Sequence, residues 1–228
     1  MDGLSCSCLT YARLPQLEEA LESYLRQEYG EKKELVILND QPGVIYRFDH
    51  PEVRIVNLSR RESSMGAKLN LAVSLCRYAI RIPWPDDDIH LPHALRSYAR
   101  ALGKKDYLSF SGYWVLDKKG KLSWMDEIPA GMIAARTAAL ATAGGYPERN
   151  CGEDKEMRER LEASGCSRAE KAFPRKEGFF IHRRGAIPHL SGFTDDRAWE
   201  EMGKTGGEIP SGEYDLHPRW EKDYSCIR

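Results

Sequence analysis

Apolar runs and helix-period segments follow one another along the first half of the chain. Runs typical of buried strands occupy Ser5 to Leu9, Glu34 to Leu38, Val53 to Leu58 and Ile80 to Trp84. One helix-period segment begins at Pro15 and ends near Tyr29–Gly30, and another runs from Ser63 to Arg77. The order strand, helix, strand, strand, helix, strand predicts an α/β fold with a mostly parallel sheet flanked by helices.

The second half of the chain has a less regular pattern. Apolar segments at Tyr107–Leu116 and Lys121–Trp124 flank the turn-forming Asp117–Gly120, which predicts a hairpin. Further predicted elements are a helix at Met132–Ala143, a helix at about Lys155–Ala163 and a short strand at Phe179–His182. The tail from Asp195 is polar, and its expected anchors are Trp199, Tyr214, Trp220 and Tyr224.

Three consecutive carboxylates, Asp86, Asp87 and Asp88, directly follow the fourth predicted strand. A buried strand would deliver them to its carboxyl end, where sheet proteins of this class bind ligands. Adjacent carboxylates repel one another unless a cation lies between them, and oxygen-only ligands favour Mg²⁺ or Mn²⁺. The alternative is an acidic turn that caps the next helix.

Composition narrows the class of protein. The 228 residues suffice for one large domain, or for two that share a core, and a net charge of −1 gives no electrostatic case for nucleic acid or an anionic membrane. No transmembrane segment is expected, and the first residues lack the features of a signal peptide. The six cysteines are scattered, and Cys6 and Cys8 are too close for a disulfide of ordinary geometry. We therefore expect a reduced, cytoplasmic protein.

Several short segments together resemble family-2 glycosyltransferases with the GT-A fold, in order and spacing, over roughly residues 5–192. They are Thr10-Tyr11-Ala12-Arg13, Leu38-Asn39-Asp40, Gly66-Ala67-Lys68-Leu69-Asn70, Trp84 to Pro92, and Gly144-Gly145-Tyr146-Pro147 with Gly152-Glu153-Asp154. The resemblance implies a single GT-A-like domain over residues 1–228. Residues 1–92 would bind the nucleotide sugar, and residues 93–228 would bind the acceptor and include the polar tail.

On the nucleotide side, the resemblance implies that Asp40 accepts a hydrogen bond from the base, with Thr10 and Tyr11 beside it. Asp86 would hold the ribose, and Lys68 would add positive charge near the phosphates. Asp40 and Lys68 also have simpler interpretations. Asp40 could start a turn, and a lysine on a helix is usually solvated.

For the reaction itself, the resemblance implies that Asp87 ligates a divalent metal, Mn²⁺ or Mg²⁺, with Asp88 next to it. His189 is a candidate third metal ligand, although the sequence favours a structural histidine there. Asp154 would be the general base of an inverting displacement, with Glu153 as the alternative base. Asp154 could also be a plain helix-start residue.

The implied function is transfer of a sugar from a nucleotide-diphosphate sugar, by default a uridine diphosphate sugar, to a hydroxyl of a glycan, lipid or small-molecule acceptor. Departures from the usual motifs are Ala12 for Asn, Leu69 for Arg and Pro85 for an acid. They motivate one rival, a relative that binds nucleotide or glycan without turnover. A metal-dependent nucleotidyltransferase is a second rival, but Thr10 to Leu14 lacks the phosphate-binding loop expected of one.

Overall fold

A seven-stranded, mostly parallel sheet forms the centre of the computed structural model, which describes residues 3–129, 131–184, 209–224 and 227. The strands, in chain order, are β1 (Leu4–Thr10), β2 (Lys33–Asn39), β3 (Val44–Arg47), β4 (Val53–Asn57), β5 (Ile80–Pro83), β6 (Ile89–His90), β7 (Tyr107–Ser111), β8 (Tyr113–Leu116), β9 (Leu122–Met125), β10 (Ala134–Arg136), β11 (Arg168–Ala172), β12 (Phe180–Arg183) and β13 (Gly212–Asp215). The helices are α1 (Leu14–Leu25), α2 (Met65–Ser74), α3 (Ala94–Leu102), α4 (Thr137–Thr142) and α5 (Glu153–Ala163), with a 3-10 turn at Arg175–Glu177.

The strand order of the central sheet is β11-β7-β10-β5-β1-β2-β4, and β10 is antiparallel to both of its neighbours. The predicted α/β class is confirmed.

Strands β1, β2 and β5 lie side by side in parallel, with β1 between the other two. Their near-continuous apolar sequences suit strands that are covered on both faces. Cys6 and Cys8 are free thiols buried in β1, in line with the expectation that they form no disulfide. Because the carboxyl ends of parallel strands meet at one edge, the segments after β1, β2 and β5 come together there.

Helices α1 and α2 form with shorter bounds than the sequence pattern indicates, whereas α5 begins two residues before its predicted start. Helix α1 ends at Leu25, short of the predicted Tyr29–Gly30, and the chain then turns so that the Glu28 N–H donates to the Pro92 carbonyl at 2.8 Å. Helix α2 begins after Ser64, whose Oγ accepts the Ala67 N–H at 3.1 Å. That cap defines the start of α2 within the predicted range.

The segment Tyr107–Leu116 is two strands, and its prediction as one arm of a hairpin is wrong. β7 belongs to the central sheet, whereas β8 belongs to a second sheet with order β6-β12-β8-β9. Gly112 separates them at φ +91°, where a Cβ would lie 2.2 Å from the Phe173 carbonyl oxygen. A glycine is required at this change of direction. The hairpin turn Asp117–Gly120 is confirmed, and it joins β8 to β9.

The predicted helix Met132–Ala143 is wrong in its first half. Ala134 to Arg136 form β10, which fills the space between β5 and β7, and α4 begins only at Thr137. Alanine side chains fit either a helix or a strand, so it is the pairing with β5 and β7 that makes this segment a strand. The sequence pattern also missed β3 and the edge strand β11, whose sequence RAEKA carries little apolar signal.

The described C-terminal segment packs along helix α1. β13 pairs in parallel with β3, the Trp220 Nε1–H donates to Ser23 Oγ at 3.1 Å, and the His217 N–H donates to Glu18 Oε1 at 2.9 Å. Tyr214, Trp220 and Tyr224 pack against the main core, so these predicted anchors are confirmed. The fourth expected anchor, Trp199, lies outside the described residues.

No helix within residues 3–129, 131–184 and 209–224 combines the length and the apolar character that crossing a bilayer requires.

The start of α2 packs directly against the loop before α5. The Gly66 N–H donates to the Arg149 carbonyl at 3.1 Å, and the Met65 N–H donates to Asn150 Oδ1 at 2.9 Å. A Cβ on Gly66 would lie 1.8 Å from the Pro147 carbonyl oxygen. The two backbones therefore touch at a point that admits no side chain.

Gly66→Ala should destabilise the protein by about 2 kcal/mol or more, because a methyl group must push two backbones apart. We expect the melting temperature to fall by about 4 °C or more in differential scanning fluorimetry. The matched control is Gly30→Ala, since nothing lies within 4 Å of a Cβ at Gly30. A Gly66→Ala protein that melts with wild type would contradict the close contact.

Candidate active site

A cavity of about 420 Å³ opens at the carboxyl edge of β1 and β5. It lies between the acidic motif on one side and the start of α5 on the other. Most of the sequence-predicted site residues line it, namely Thr10, Tyr11, Lys68, Asp86, Asp87, Asp88, Glu153 and Asp154. The fold therefore brings together residues that lie far apart in the sequence.

Asp40 does not line this cavity, although it was predicted to contact the nucleotide base. Its side chain is buried, Oδ1 accepts Lys68 Nζ at 2.5 Å, and Oδ2 accepts the Glu62 N–H at 3.1 Å. Lys68 Nζ also donates to the Thr10 carbonyl at 2.8 Å. Burial lowers the pKa of Lys68, and the charge of Asp40 opposes that shift. In this arrangement Asp40 orients Lys68, and a direct contact between Asp40 and a base stays a prediction.

Arg13 bridges two of the three acids of the motif. Its Nη1 donates to Asp86 Oδ1 at 3.0 Å and to Asp87 Oδ2 at 2.7 Å. Burial raises the pKa of Asp86, and the adjacent guanidinium counteracts part of that rise. Asp86 Oδ2 is buried without a hydrogen-bond partner. That oxygen has acceptor capacity for a ligand hydroxyl or a cation, and the Thr10 hydroxyl also lowers the pKa of Asp86.

Asp88 turns away from Arg13 toward strand β12. Its Oδ1 lies 3.1 Å from His182 Nδ1 and accepts the Arg183 N–H at 2.9 Å. The Arg183 side chain donates from Nε to the Asp87 carbonyl and from Nη1 to Glu19 Oε2. His182 lines the cavity and was not singled out from the sequence, because a histidine ending a short strand carries no local signal. His189, the predicted third metal ligand, lies outside the described residues.

The acidic motif has the right donor chemistry for a divalent cation. Carboxylate oxygens, with the His182 imidazole, suit Mn²⁺ or Mg²⁺, and the unpartnered Asp86 Oδ2 is an acceptor available to one. Within the described residues, however, no group of three or more His, Cys, Asp or Glu side chains is gathered tightly enough to hold a metal. Arg13 lies between Asp86 and Asp87, so a metal there would have to displace its guanidinium.

Glu153 and Asp154 open helix α5 on the opposite side of the cavity. Gly152, at φ +74°, precedes the helix, and the positive end of the helix dipole favours acids in its first turn. Among the described residues the Asp154 carboxylate makes no hydrogen bond or ion pair. Gly131 leaves room for it, since a Cβ there would lie 3.1 Å from Asp154 Oδ2. The carboxylate is therefore held open toward the cavity.

Burial raises the pKa of both carboxyl groups. The pKa of Glu153 rises to about 7, through burial first and the nearby Asp154 charge second. The pKa of Asp154 is also raised by burial, while the positive charges of Arg81 and Arg158 oppose the rise. A carboxyl group with a raised pKa is a stronger proton acceptor once ionised, as general base catalysis requires.

Two further arginines, Arg61 and Arg81, line the cavity. Arg61 lies over the Tyr11 ring, 4.5 Å from its centroid. Arg81, on β5, lines the cavity and is buried. A charged residue in the middle of an apolar strand is a signal that could have identified Arg81.

A sequence comparison supplies the family. The sequence model described as "Glycosyl transferase family 2" matches residues 8–175. This chain belongs to glycosyl transferase family 2. The matched range includes the acidic motif, helix α2 and the pair Glu153 and Asp154. No curated protein sequence matches the chain significantly.

Solved structures with the same fold include other glycosyltransferases. Staphylococcus aureus TarS 1-349 in complex with UDP-GlcNAc superposes with a TM-score of 0.66 at 14% identity, covering 87% of this chain and 64% of that one. The mannosyltransferase PcManGT from Pyrobaculum calidifontis, in complex with GDP-Man and Mn²⁺, gives a TM-score of 0.59 at 17% identity, covering 87% and 59%. At such identities the similarity supports the GT-A fold, and the chain spans less than two thirds of either structure.

Two departures from the usual family-2 motifs are visible at the cavity. Ala12 has φ +54°, a left-handed conformation that the usual Asn tolerates better than Ala. Leu69 lines the cavity where an Arg is usual, so one positive charge is missing there. Arg13, Arg61 and Lys68 line the same cavity.

Proposed function

We propose that this chain transfers a sugar from a nucleotide-diphosphate sugar to an acceptor hydroxyl with inversion at the anomeric carbon. The observation that carries the proposal is the placement of two carboxylate groups across one cavity. Asp86 to Asp88 stand at the strand edge, and Asp154 faces the same space from α5 with an unbonded carboxylate. Inversion needs this opposition, because the base and the leaving diphosphate lie on opposite sides of the sugar.

Asp154 would act as the general base. The acceptor oxygen attacks the anomeric carbon, the bond from that carbon to the diphosphate oxygen breaks, and its electron pair leaves with the diphosphate. The acceptor proton passes to the Asp154 carboxylate. Burial supports this role by raising the pKa of Asp154, and the absence of a side chain at Gly131 leaves room for the carboxylate.

The nucleotide would lie along the carboxyl ends of β1 and β5. The open Asp86 Oδ2 suits a ribose hydroxyl, which can donate to it. Tyr11 offers a ring for stacking, and Lys68, held by Asp40 and the Thr10 carbonyl, contributes positive charge near the phosphates. A uridine diphosphate donor is the default, and TarS, which shares this fold, binds UDP-GlcNAc and UDP.

A divalent cation would be held by Asp87 and Asp88, with His182 and His189 as further candidate ligands. When bound, such a cation neutralises charge that develops on a leaving diphosphate. PcManGT, which shares this fold, is in complex with Mn²⁺ and GDP-Man. Arg13 would have to release Asp87 to admit the ion, or would itself supply positive charge there.

The acceptor would be a glycan, a lipid or a small molecule that enters from the side of residues 93–228, and we infer a cytoplasmic location from the sequence alone. The rival reading, a relative that binds nucleotide without turnover, is motivated by Leu69 and Pro85. Membership of the glycosyl transferase family weighs against a nucleotidyltransferase.

Asp154→Asn should leave donor affinity nearly unchanged but lower sugar transfer by about 10²-fold or more, because a positioned base is lost. Glu153→Gln is the matched control and should cost less. Released nucleotide diphosphate, measured in a coupled assay over a broad acceptor panel, gives both values. In wild type, transfer should rise with pH through the raised pKa of Asp154, since only the ionised carboxylate accepts a proton.

Two outcomes of that assay would overturn the assignment. If Glu153→Gln is the inactive variant and Asp154→Asn is active, the base is Glu153. If wild type binds nucleotide tightly but shows neither transfer nor donor hydrolysis, the non-catalytic reading is correct.

Asp87→Ala should abolish the enhancement of nucleotide-diphosphate binding by Mn²⁺ while the fold stays intact. Isothermal titration calorimetry with and without Mn²⁺ measures this change in nucleotide-diphosphate affinity. Asp49→Ala is the control, because Asp49 is exposed and does not line the cavity. Unchanged Mn²⁺ enhancement in Asp87→Ala would exclude Asp87 as a metal ligand.

A further inference from the structure

Arg81 is a buried cation whose hydrogen bonds all go to neutral acceptors. It lies on β5, and only 2% of its surface is exposed. Nε donates to Ser7 Oγ at 2.7 Å, and Nη1 donates to the Tyr146 hydroxyl at 3.1 Å and to the Ile133 carbonyl at 3.4 Å. A guanidinium cannot lose its proton in a protein, so its charge persists at this buried position.

The second terminal nitrogen of Arg81 is open. Nη2 makes no hydrogen bond to any residue that the structure describes, and the side chain lines the cavity. Burial of an ionised group without a bonded counter-charge costs free energy. The arrangement is therefore typical of a guanidinium whose remaining N–H groups donate hydrogen bonds to a bound ligand.

Three neighbouring basic residues differ from Arg81, because each forms an ion pair with a carboxylate. Lys68 pairs with Asp40, Arg13 pairs with Asp86, and Arg183 pairs with Glu19. Asp154 shares the cavity with Arg81, but no hydrogen bond or ion pair joins them. The two charges still attract one another, since the positive charge of Arg81 opposes the rise in the pKa of Asp154.

The depth of Arg81 indicates which part of a substrate would reach it. Arg81 precedes the last residue of β5, Pro83, by two positions, about 7 Å along a strand. The acids Asp86 to Asp88, where the diphosphate would lie, come after the strand ends. The Arg81 side chain meets Ile133 and Tyr146 from the acceptor-side half. It therefore borders the place where the two sugars would meet.

We propose that Arg81 binds a carboxylate carried by a sugar in this cavity, so that the enzyme acts on a uronic acid. The inference rests on the proposed glycosyltransferase function. Nε and Nη1 of Arg81 already donate to Ser7, Tyr146 and Ile133, so a carboxylate would accept charge-assisted hydrogen bonds from Nη2. Glu153 and Asp154 line the facing side and would repel an anion, so a carboxylate is favoured only where it lies directly on Arg81. A neutral sugar would offer Nη2 no charged acceptor.

Isothermal titration calorimetry tests the proposal with UDP, UDP-glucose and UDP-glucuronate as probes. If the carboxylate belongs to the donor, wild type should bind UDP-glucuronate about 10-fold or more tightly than UDP-glucose. If it belongs to the acceptor, the two donors should bind alike, and free glucuronate should bind to protein saturated with UDP. If the protein prefers guanosine, GDP-mannose and GDP-mannuronate replace the uridine pair.

Arg81→Met should remove whichever preference is found and leave UDP affinity unchanged. Arg81→Lys, which keeps the charge but loses the planar fork, should weaken the preference and covers the case in which Arg81→Met fails to fold. Arg96→Met is the matched control, since Arg96 is exposed on α3 and outside the cavity.

The outcomes separate this inference from the proposed function. If no nucleotide binds, both are wrong. If nucleotide binds but wild type shows no preference for a carboxylate in either arm, the inference is wrong and the proposed function stands. If a preference persists in folded Arg81→Met, the carboxylate site lies elsewhere.

Discussion

Mutual repulsion among Asp86, Asp87 and Asp88 is the physical constraint on which the rest of the site depends. Three consecutive, buried carboxylates cannot all stay ionised without positive charge or donated hydrogen bonds. Arg13, just before α1, serves Asp86 and Asp87, whereas His182 and the Arg183 N–H, at the end of β12, serve Asp88. Arg183 in turn pairs with Glu19 of α1. The acids thereby tie helix α1 and strand β12 to the carboxyl edge of the sheet.

A second set of contacts fixes the distance across the cavity. Helix α2 carries Lys68 toward the nucleotide side, and its first turn lies against the loop that leads into α5. Asn70 holds that loop through Tyr146, accepting its N–H at 2.8 Å and donating to its carbonyl at 2.9 Å. These contacts restrain the loop before α5, and with it Asp154, relative to the acids. Such preorganisation is what a displacement between two bound substrates requires.

The sequence predicted the parts of the fold and site that rest on local signals. The acids after β5 were identified because the strand pattern placed them, whereas the pair at the start of α5 was identified through the family resemblance, and both line the cavity. β10 was mistaken for a helix, since its alanines fit either state and only its pairing with β5 and β7 decides. His182 and Arg81 were missed because their meaning comes from partners distant in sequence. The division of the chain near residue 92 and the roles of the individual site residues stay predictions.

The central claim, that this cavity binds a nucleotide diphosphate with the help of a divalent cation, is tested most directly by thermal stability. The full chain would be melted with UDP, GDP, ADP and CDP, each with and without Mn²⁺. A ligand at about 100 times its dissociation constant adds about 2.7 kcal/mol of stability, so one nucleotide should raise the melting temperature by about 5 °C or more, with a larger shift when Mn²⁺ is present. If no nucleotide at millimolar concentration shifts the melting temperature by more than about 1 °C, with or without Mn²⁺, the claim is contradicted.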